Sequence, residues 1–277
     1  MTTDPLSVHP EVEALKAGNA LLRDEAVRLL TEQDHLLHTV RPNLLALYQV
    51  KLGPWELRLL KEQCDTARLR RLIEMVQAFL NVGRLPVMAE IGQKLDAEFI
   101  LWQARLREAA EKLQDAEQQL QHLMSLDDDR EFRKLYRSLV KRLHPDVVPD
   151  QNEQIRLLWQ RVQAAYGHSD LAEMRALWEL TQQLAPVVTP STSMDALKTE
   201  RETLRRQAER LARQIAELRQ RPPFSLQAKL EDDAWVAARR AEIETQIVAQ
   251  QEQRRVLESH LRTLTPEMID GKWLSAN

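Results

Sequence analysis

Apolar residues recur every three or four positions over most of this chain, and that spacing limits its fold more than any other feature. The rhythm runs through 15–40, 99–123, 197–218 and 236–264. Alternating steps of three and four place apolar side chains along one seam of a helix, as in coiled coils. No segment alternates with period two between turn residues, so we predict no substantial sheet.

Twelve prolines interrupt this pattern. Proline lacks a backbone N–H and clashes with the preceding turn, so the segments between prolines are the candidate helices. The predicted fold is all-α, an extended helical assembly with coiled-coil segments. Its predicted divisions are an N-terminal coiled-coil helix (1–42), a small helical segment (43–86), a long helix (87–126), a helical unit (127–184), a linker (185–194), a coiled-coil helical hairpin (195–266) and a C-terminal tail (267–277).

Composition agrees with long helices packed along narrow seams. Aromatic residues make up only 5 % of the 277 residues, and there are 6 glycines. One cysteine, Cys64, cannot form an internal disulfide, which favours a reducing, cytoplasmic compartment. No apolar run is long enough to span a membrane. The net charge of −3 gives no global attraction to nucleic acid or to an acidic membrane.

Two segments resemble each other without gaps: EALKAGNALLRDEAVRLL (13–30) and DALKTERETLRRQAERLA (195–212). Shared heptad composition is the simpler explanation, and an internal repeat is the alternative.

The segment 127–146 combines a two-faced helix with an abrupt end. One face carries apolar residues, and the other carries a row of cations that we call the basic face. The basic face comprises Arg130, Arg133, Lys134, Arg137 and Lys141. Pro145 must end the helix and pushes His144 out of the helical region. By themselves, a basic row is most simply a solvated surface, and the tripeptide His144-Pro145-Asp146, here called the HPD loop, is most simply a helix terminator.

Together these features resemble the J domain of DnaJ-type co-chaperones. The similarity covers FRKLYRSLVKRLHPD (132–146) and LLWQRVQAAYG (157–167). It implies a J-like helical hairpin that binds a DnaK-type chaperone of the heat-shock-seventy class and stimulates its ATP hydrolysis. The residues implied to contact the partner are His144, Pro145, Asp146, Arg133, Lys134, Arg137, Lys141 and Arg142. The residues implied to form the hairpin's core are Phe132, Leu135, Tyr136, Leu139, Leu143, Trp159, Val162, Ala165 and Tyr166.

This sequence departs from the family pattern in several places. The family's first helix is absent just upstream, and we expect the end of the long helix, through Leu120, Leu123 and Leu126, to take its packing role. Gln163 stands where the family usually has Asn. There is no Gly/Phe-rich segment, and a single cysteine excludes the family's zinc-binding module.

Other chemistry finds little support in the residues. His35 and His38 lie three apart, but no third metal ligand is evident. Cys64 has no neighbouring His base, and no glycine-rich phosphate loop occurs. We therefore predict a non-enzymatic co-chaperone without cofactor or metal, whose coiled coils bind a protein client or form a homo-oligomer. The alternative is a structural or scaffolding coiled-coil protein whose J-like unit no longer stimulates a chaperone. Binding of nucleic acid or membrane is not expected.

Overall fold

A computed structural model describes residues 10–148, 151–182 and 193–265, and all the secondary structure in these ranges is helical. The predicted all-α class is confirmed for this part of the chain. None of its helices combines the length and hydropathy that crossing a bilayer requires. Residues 185–192 of the predicted linker and the whole predicted tail lie outside the described ranges.

The helices follow the chain with short connections. Their bounds are α1 (Pro10–His35), a π-helical segment (Leu36–Val40), α2 (Arg41–Asn81), α3 (Met88–Glu98), α4 (Ile100–Gln121), α5 (Leu126–Leu143), α6 (Glu153–Gly167), α7 (Leu171–Gln182), α8 (Met194–Gln220), a 3-10 turn (Phe224–Leu226), α9 (Gln227–Glu231) and α10 (Asp233–Leu264). They fall into two compact units. Unit 1 comprises Met1–Leu44 and His122–Ser225, and unit 2 comprises Leu45–Gln121 and Leu226–Asn277.

Unit 1 is organised by a parallel pairing of α1 with α8. Leu15 and Leu29 of α1 and Leu197 and Leu211 of α8 are buried in this seam. Buried Asn19 interrupts it, and its side-chain amide donates to the Leu197 carbonyl and to Glu200, each at 3.0 Å. Further along both helices, Gln33 donates to Gln214 at 3.2 Å. Because the partners advance together, the helices are parallel, and the similar segments 13–30 and 195–212 lie side by side.

This pairing corrects the predicted division of the C-terminal half. We expected 195–266 to fold as one helical hairpin, but α8 belongs to unit 1 and α10 to unit 2. The leucine stripe of α8 is covered by α1 instead. A heptad stripe specifies that a helix needs a partner and does not specify which helix that partner is.

We expected prolines to separate the helices, but Pro42 and Pro54 both lie within α2. The chain is helical from Pro10 to Asn81, and Pro54 lies inside α2. Pro42 follows the π-helical segment, where the backbone hydrogen-bond register changes. Near Pro54, Arg240 donates through Nε to the Lys51 carbonyl at 2.9 Å and lies over the Trp55 ring at 4.2 Å. The arginine therefore supports the backbone close to a residue that cannot donate its own bond.

Unit 2 contains its own core and its own parallel pairing. Arg58 of α2 contacts Glu244 of α10 at 3.1 Å, and Glu62 contacts Arg254 at 2.9 Å. Helix α3 packs on α2 through a cluster of buried residues, and Trp102 and Leu106 of α4 pack against this cluster. Its members are Cys64, Met75, Val76, Ile91, Leu95 and Phe99.

The predicted single helix over 87–126 is wrong. The helix is interrupted at Phe99, which has φ −97° and ψ 7° and separates α3 from α4. The Phe99 ring is buried in the core of unit 2, so packing of this side chain accompanies the break. The preceding helix, α2, ends at Asn81, and Gly83 just beyond it adopts the left-handed φ of +67° that glycine tolerates best.

Replacement of Leu211 by alanine should destabilise the α1–α8 seam by roughly 2–5 kcal/mol, because the side chain is almost fully buried there. Urea unfolding of the whole chain, followed by circular dichroism, measures this loss. Leu21→Ala is the matched control, since Leu21 is 72 % exposed on the partner helix and its truncation should change stability by about 0.5 kcal/mol or less. Equal effects of the two substitutions would contradict the assigned seam.

Candidate functional site: the loop between α5 and α6

The helix that leads to the HPD loop begins with a defined cap. The Ser125 Oγ accepts a hydrogen bond from the Asp128 N–H at 3.1 Å and donates to the Asp128 carboxylate at 2.7 Å. Ser125 is therefore the capping residue of α5, and Asp128 is its reciprocal partner. Acidic residues in the first turn, with Lys141 and Arg142 in the last, complement the helix dipole at both ends.

The predicted core residues meet between α5 and α6. The structure buries Phe132, Tyr136, Leu139, Leu143, Trp159, Val162, Ala165 and Tyr166, and it leaves Leu135 half-buried. Their spacing places one apolar face of each helix inward, which pairs the two helices as a hairpin.

Stacked aromatic rings run through this hairpin to the HPD loop. The Tyr136 and Tyr166 rings stack with centroids 3.8 Å apart, and Phe132 stacks on Tyr166 at 5.1 Å. At the other end, Trp159 lies 6.2 Å from Tyr136, and the imidazole of His144 meets Trp159 edge-on at 4.8 Å. We call these five rings the aromatic column. It seats the first residue of the HPD loop against the hairpin core.

The HPD loop is a compact turn held by His144. This residue leaves the helix with φ −70° and ψ 132°, as the following proline requires. Its carbonyl accepts from Val147 N–H at 2.9 Å and Val148 N–H at 2.8 Å. Its Nδ1 accepts from Asp146 N–H at 3.0 Å. His144 is half-buried, whereas Pro145 and Asp146 are exposed, so the loop presents the latter two to solvent.

The surroundings of His144 favour the neutral form of its imidazole. Burial lowers the pKa of His144, although the nearby carboxylates of Asp146 and Asp34 oppose the decrease. Because Nδ1 accepts a backbone hydrogen bond, the neutral ring carries its proton on Nε2.

Asn152 begins the return helix. Its side-chain oxygen accepts from the Ile155 N–H at 2.9 Å and caps α6. The side chain of Gln151 donates to the Leu143 carbonyl at 2.5 Å, which satisfies one of the carbonyl groups left open at the end of α5. Both ends of the loop are thus tied to helix termini.

The basic residues implied to bind a partner divide into exposed and engaged side chains. Lys134 and Arg137 are exposed on α5. Arg133 forms an ion pair with Asp129 one turn earlier on the same helix. All three lie on the outer surface of the hairpin.

The two basic residues nearest the loop have contacts with other helices of unit 1. The Nζ of Lys141 lies 2.7 Å from the carboxylate of Asp24 in α1. Arg142 donates to the Thr181 carbonyl at the end of α7 and lies over the Trp178 ring, 5.4 Å from its centroid. Arg142 therefore packs α5 against α7, which differs from the partner-contact role implied for it. The sequence alone could not separate these roles, since both use a cation in the last helical turn.

Sequence reasoning missed Asp34 of α1, which lies against the aromatic column. The Tyr136 hydroxyl donates to the Asp34 carboxylate at 2.5 Å. Burial raises the pKa of Asp34, and burial next to Asp34 raises the pKa of Tyr136. His38, in the π-helical segment, meets the Tyr166 ring edge-on at 6.0 Å. A single acidic residue beside a heptad stripe gives no signal of such a partner in the sequence.

Helix α1 therefore packs on the hairpin where we expected the end of the long helix. Leu123, one of the residues predicted for this role, is 51 % exposed. Instead, Ala26, Val27 and Leu30 of α1 are buried, and α1 packs on α5. The covering helix comes from far upstream in the sequence.

Helix α8 also contacts the HPD loop. The guanidinium Nη2 of Arg210 lies 3.3 Å from the Asp146 carboxylate, and the side-chain amide of Gln207 donates to the Asp146 carbonyl at 3.4 Å. Neither residue was predicted as part of the site. In the sequence, both residues look like ordinary polar positions on the exposed face of a heptad helix.

Comparisons with protein-family models, with curated proteins and with solved structures found no match for this chain. In the described part of the chain, no group of three or more His, Cys, Asp or Glu side chains is placed to hold a metal ion. The function is therefore argued from the arrangement of residues around the HPD loop.

Tyr136→Phe should lower the free energy of unfolding by roughly 1–3 kcal/mol, because the half-buried Asp34 carboxylate loses a hydrogen-bond donor. A double-mutant cycle with Asp34→Ala, measured by urea unfolding, isolates the pair. We expect the Tyr136→Phe cost to shrink when Asp34 is already absent. Strictly additive costs would show that the two side chains do not interact.

The imidazole of His144 should titrate below its ordinary pKa of 6.5. Because the pKa of His144 is lowered in the folded chain, its contribution to stability is complete above the ordinary pKa of 6.5. That contribution is lost as the pH falls from there through the folded pKa. Asp146→Asn removes an opposing charge and should lower the pKa of His144 further. NMR titration of the imidazole resonances measures both values. An unchanged pKa in the variant would contradict the assigned proximity.

Proposed function

We propose that this protein is a J-domain-type co-chaperone that binds a DnaK-type chaperone and stimulates its ATP hydrolysis. The observation that carries the proposal is the HPD loop itself, which projects Pro145 and Asp146 from the end of a basic helix. The resemblance of residues 132–146 and 157–167 to J domains supplies the identity of the partner.

The geometry suits a docking surface with two parts. Exposed Lys134 and Arg137 can steer an acidic surface towards α5, since complementary charge raises the rate of encounter. Asp146 can accept charge-assisted hydrogen bonds from a cationic group of the partner. Pro145 and the hydrogen bonds to His144 hold the loop in one conformation, which reduces the entropy lost on binding.

The flanking helices have a separate role in this proposal. They bind the protein client or support a homo-oligomer in the cytoplasm, while the hairpin engages the chaperone. The chain itself performs no covalent chemistry and needs no cofactor. The buried stripe of α1 and α8 is occupied within unit 1, so a client or second copy would use the outer faces of these helices or unit 2.

The test is the steady-state ATPase rate of a purified DnaK-type chaperone with and without this protein. Wild-type protein should raise the rate. Asp146→Asn should reduce the stimulation about tenfold or more, because a docked cation would lose its charged acceptor. A set of different DnaK-type chaperones should be tried.

The matched control is Asp127→Asn. Asp127 is also exposed, at 93 % of its side-chain surface, and lies at the opposite end of α5. This substitution removes the same charge and should preserve stimulation. Loss of stimulation in both variants would point to net charge, and absence of stimulation by the wild type would overturn the proposal.

A second function is favoured by the contacts of the loop within unit 1. Asp146 is paired with Arg210, and Lys141 is paired with Asp24. A scaffolding protein in which the hairpin only braces α1 and α8 would use the same contacts. A wild-type chain that stimulates none of the chaperones, but loses its assembly when Leu204 of the seam is replaced by a charged residue, would support this alternative.

A further inference from the structure

We propose that α8 restrains the HPD loop, so that Gln207 and Arg210 compete with the docking partner for Asp146. This inference rests on the proposed function, because it concerns the regulation of the same loop. It assigns to α8 a role that its heptad pattern does not reveal.

Helix α8 contacts the HPD loop through the two acceptor groups of Asp146, its carboxylate and its backbone carbonyl. Arg210 contacts its carboxylate at 3.3 Å, and the amide of Gln207 contacts its backbone carbonyl at 3.4 Å. The backbone N–H of the same residue is already bonded to His144. A partner cation approaching the carboxylate must therefore displace or share it with Arg210.

The position of α8 beside the loop is set by its seam with α1. Leu204 and Leu211 are buried on either side of Gln207 and Arg210 along α8. Glu200, one turn before Leu204, pairs with Arg23 and accepts from Asn19 of α1. These contacts fix both rotation and register, so the two polar residues are directed at the loop by a packed helix.

The same helix pair also engages the basic end of α5. Lys141 is held by Asp24 of α1, close to the last turn before the HPD loop. The α1–α8 pair thus contacts both a cation and the anion of the proposed docking surface. A partner with acidic and basic groups would have to replace both contacts.

The contacts are weak enough to be displaced. The side chains of Arg210 and Asp146 are 58 % and 41 % exposed, and water screens an ion pair in such a position. A pair of this kind changes a binding constant by roughly two- to fivefold. We therefore expect α8 to lower the affinity of the HPD loop for its partner moderately, without preventing binding.

The experiment uses the full chain with Gln207→Ala and Arg210→Ala combined. Affinity for the DnaK-type chaperone is measured by titration, and stimulation is measured in the ATPase assay. Both should improve, with apparent affinity roughly two- to fivefold tighter than for the wild type. Affinity equal to that of the wild type would overturn the restraint. Weaker affinity would also overturn it and would place Gln207 or Arg210 among the docking residues.

Arg206→Ala is the matched control. Arg206 lies on the same helix, is exposed, and pairs with Glu202 at 3.0 Å on α8 itself. It removes the same charge without touching the loop, so affinity should stay at the wild-type value. A gain as large as that of the double variant would assign the effect to net charge.

A second measurement needs no partner and separates this inference from the proposed function. Hydrogen exchange of a peptide covering 143–148 should be faster in the double variant than in the wild type or in Arg206→Ala. Unchanged exchange would overturn the restraint even if the chaperone is stimulated. Faster exchange in a chain that stimulates no chaperone would retain the restraint and reject the co-chaperone function.

Discussion

The hydrogen bond between Tyr136 and Asp34 ties the core of the α5–α6 hairpin to α1. It joins the centre of the aromatic column to α1 at 2.5 Å, in surroundings where an uncompensated carboxylate would be costly. Through Trp159 the same column supports the imidazole of His144. The presented loop, the hairpin core and the upstream helix are therefore connected through one chain of side-chain contacts.

Charge is divided between outward presentation and internal packing. Lys134 and Arg137 face solvent, whereas Arg142 binds the end of α7. Asp146 faces solvent and also contacts α8. A surface of this kind is shared between internal contacts and any partner, so docking and internal packing compete for the same groups. That competition connects the proposed co-chaperone function to the parallel pairing of α1 and α8.

Much of the candidate site could be predicted locally. Pro145 alone ends α5 and extends His144, and helical periodicity alone places Phe132, Leu139 and Trp159 inward. These outcomes depend on neighbours within a few residues. The roles of Lys141 and Arg142 could not be predicted in this way, because a cation at the end of a helix has the same local signature whether it faces solvent or another helix. Asp34, Gln207 and Arg210 were missed for the same reason.

By itself the sequence determined the helical class and the turn at Pro145, since these follow from backbone restrictions and from the period of the apolar residues. Tertiary structure decided which stripes pair. It joined α1 to α8, placed α10 in the other unit and interrupted the helix at Phe99. It also allowed α2 to continue through Pro54, where Arg240 donates a hydrogen bond to the nearby Lys51 carbonyl. A heptad pattern indicates that one face of a helix must be buried, and only the tertiary structure decides which helix covers that face.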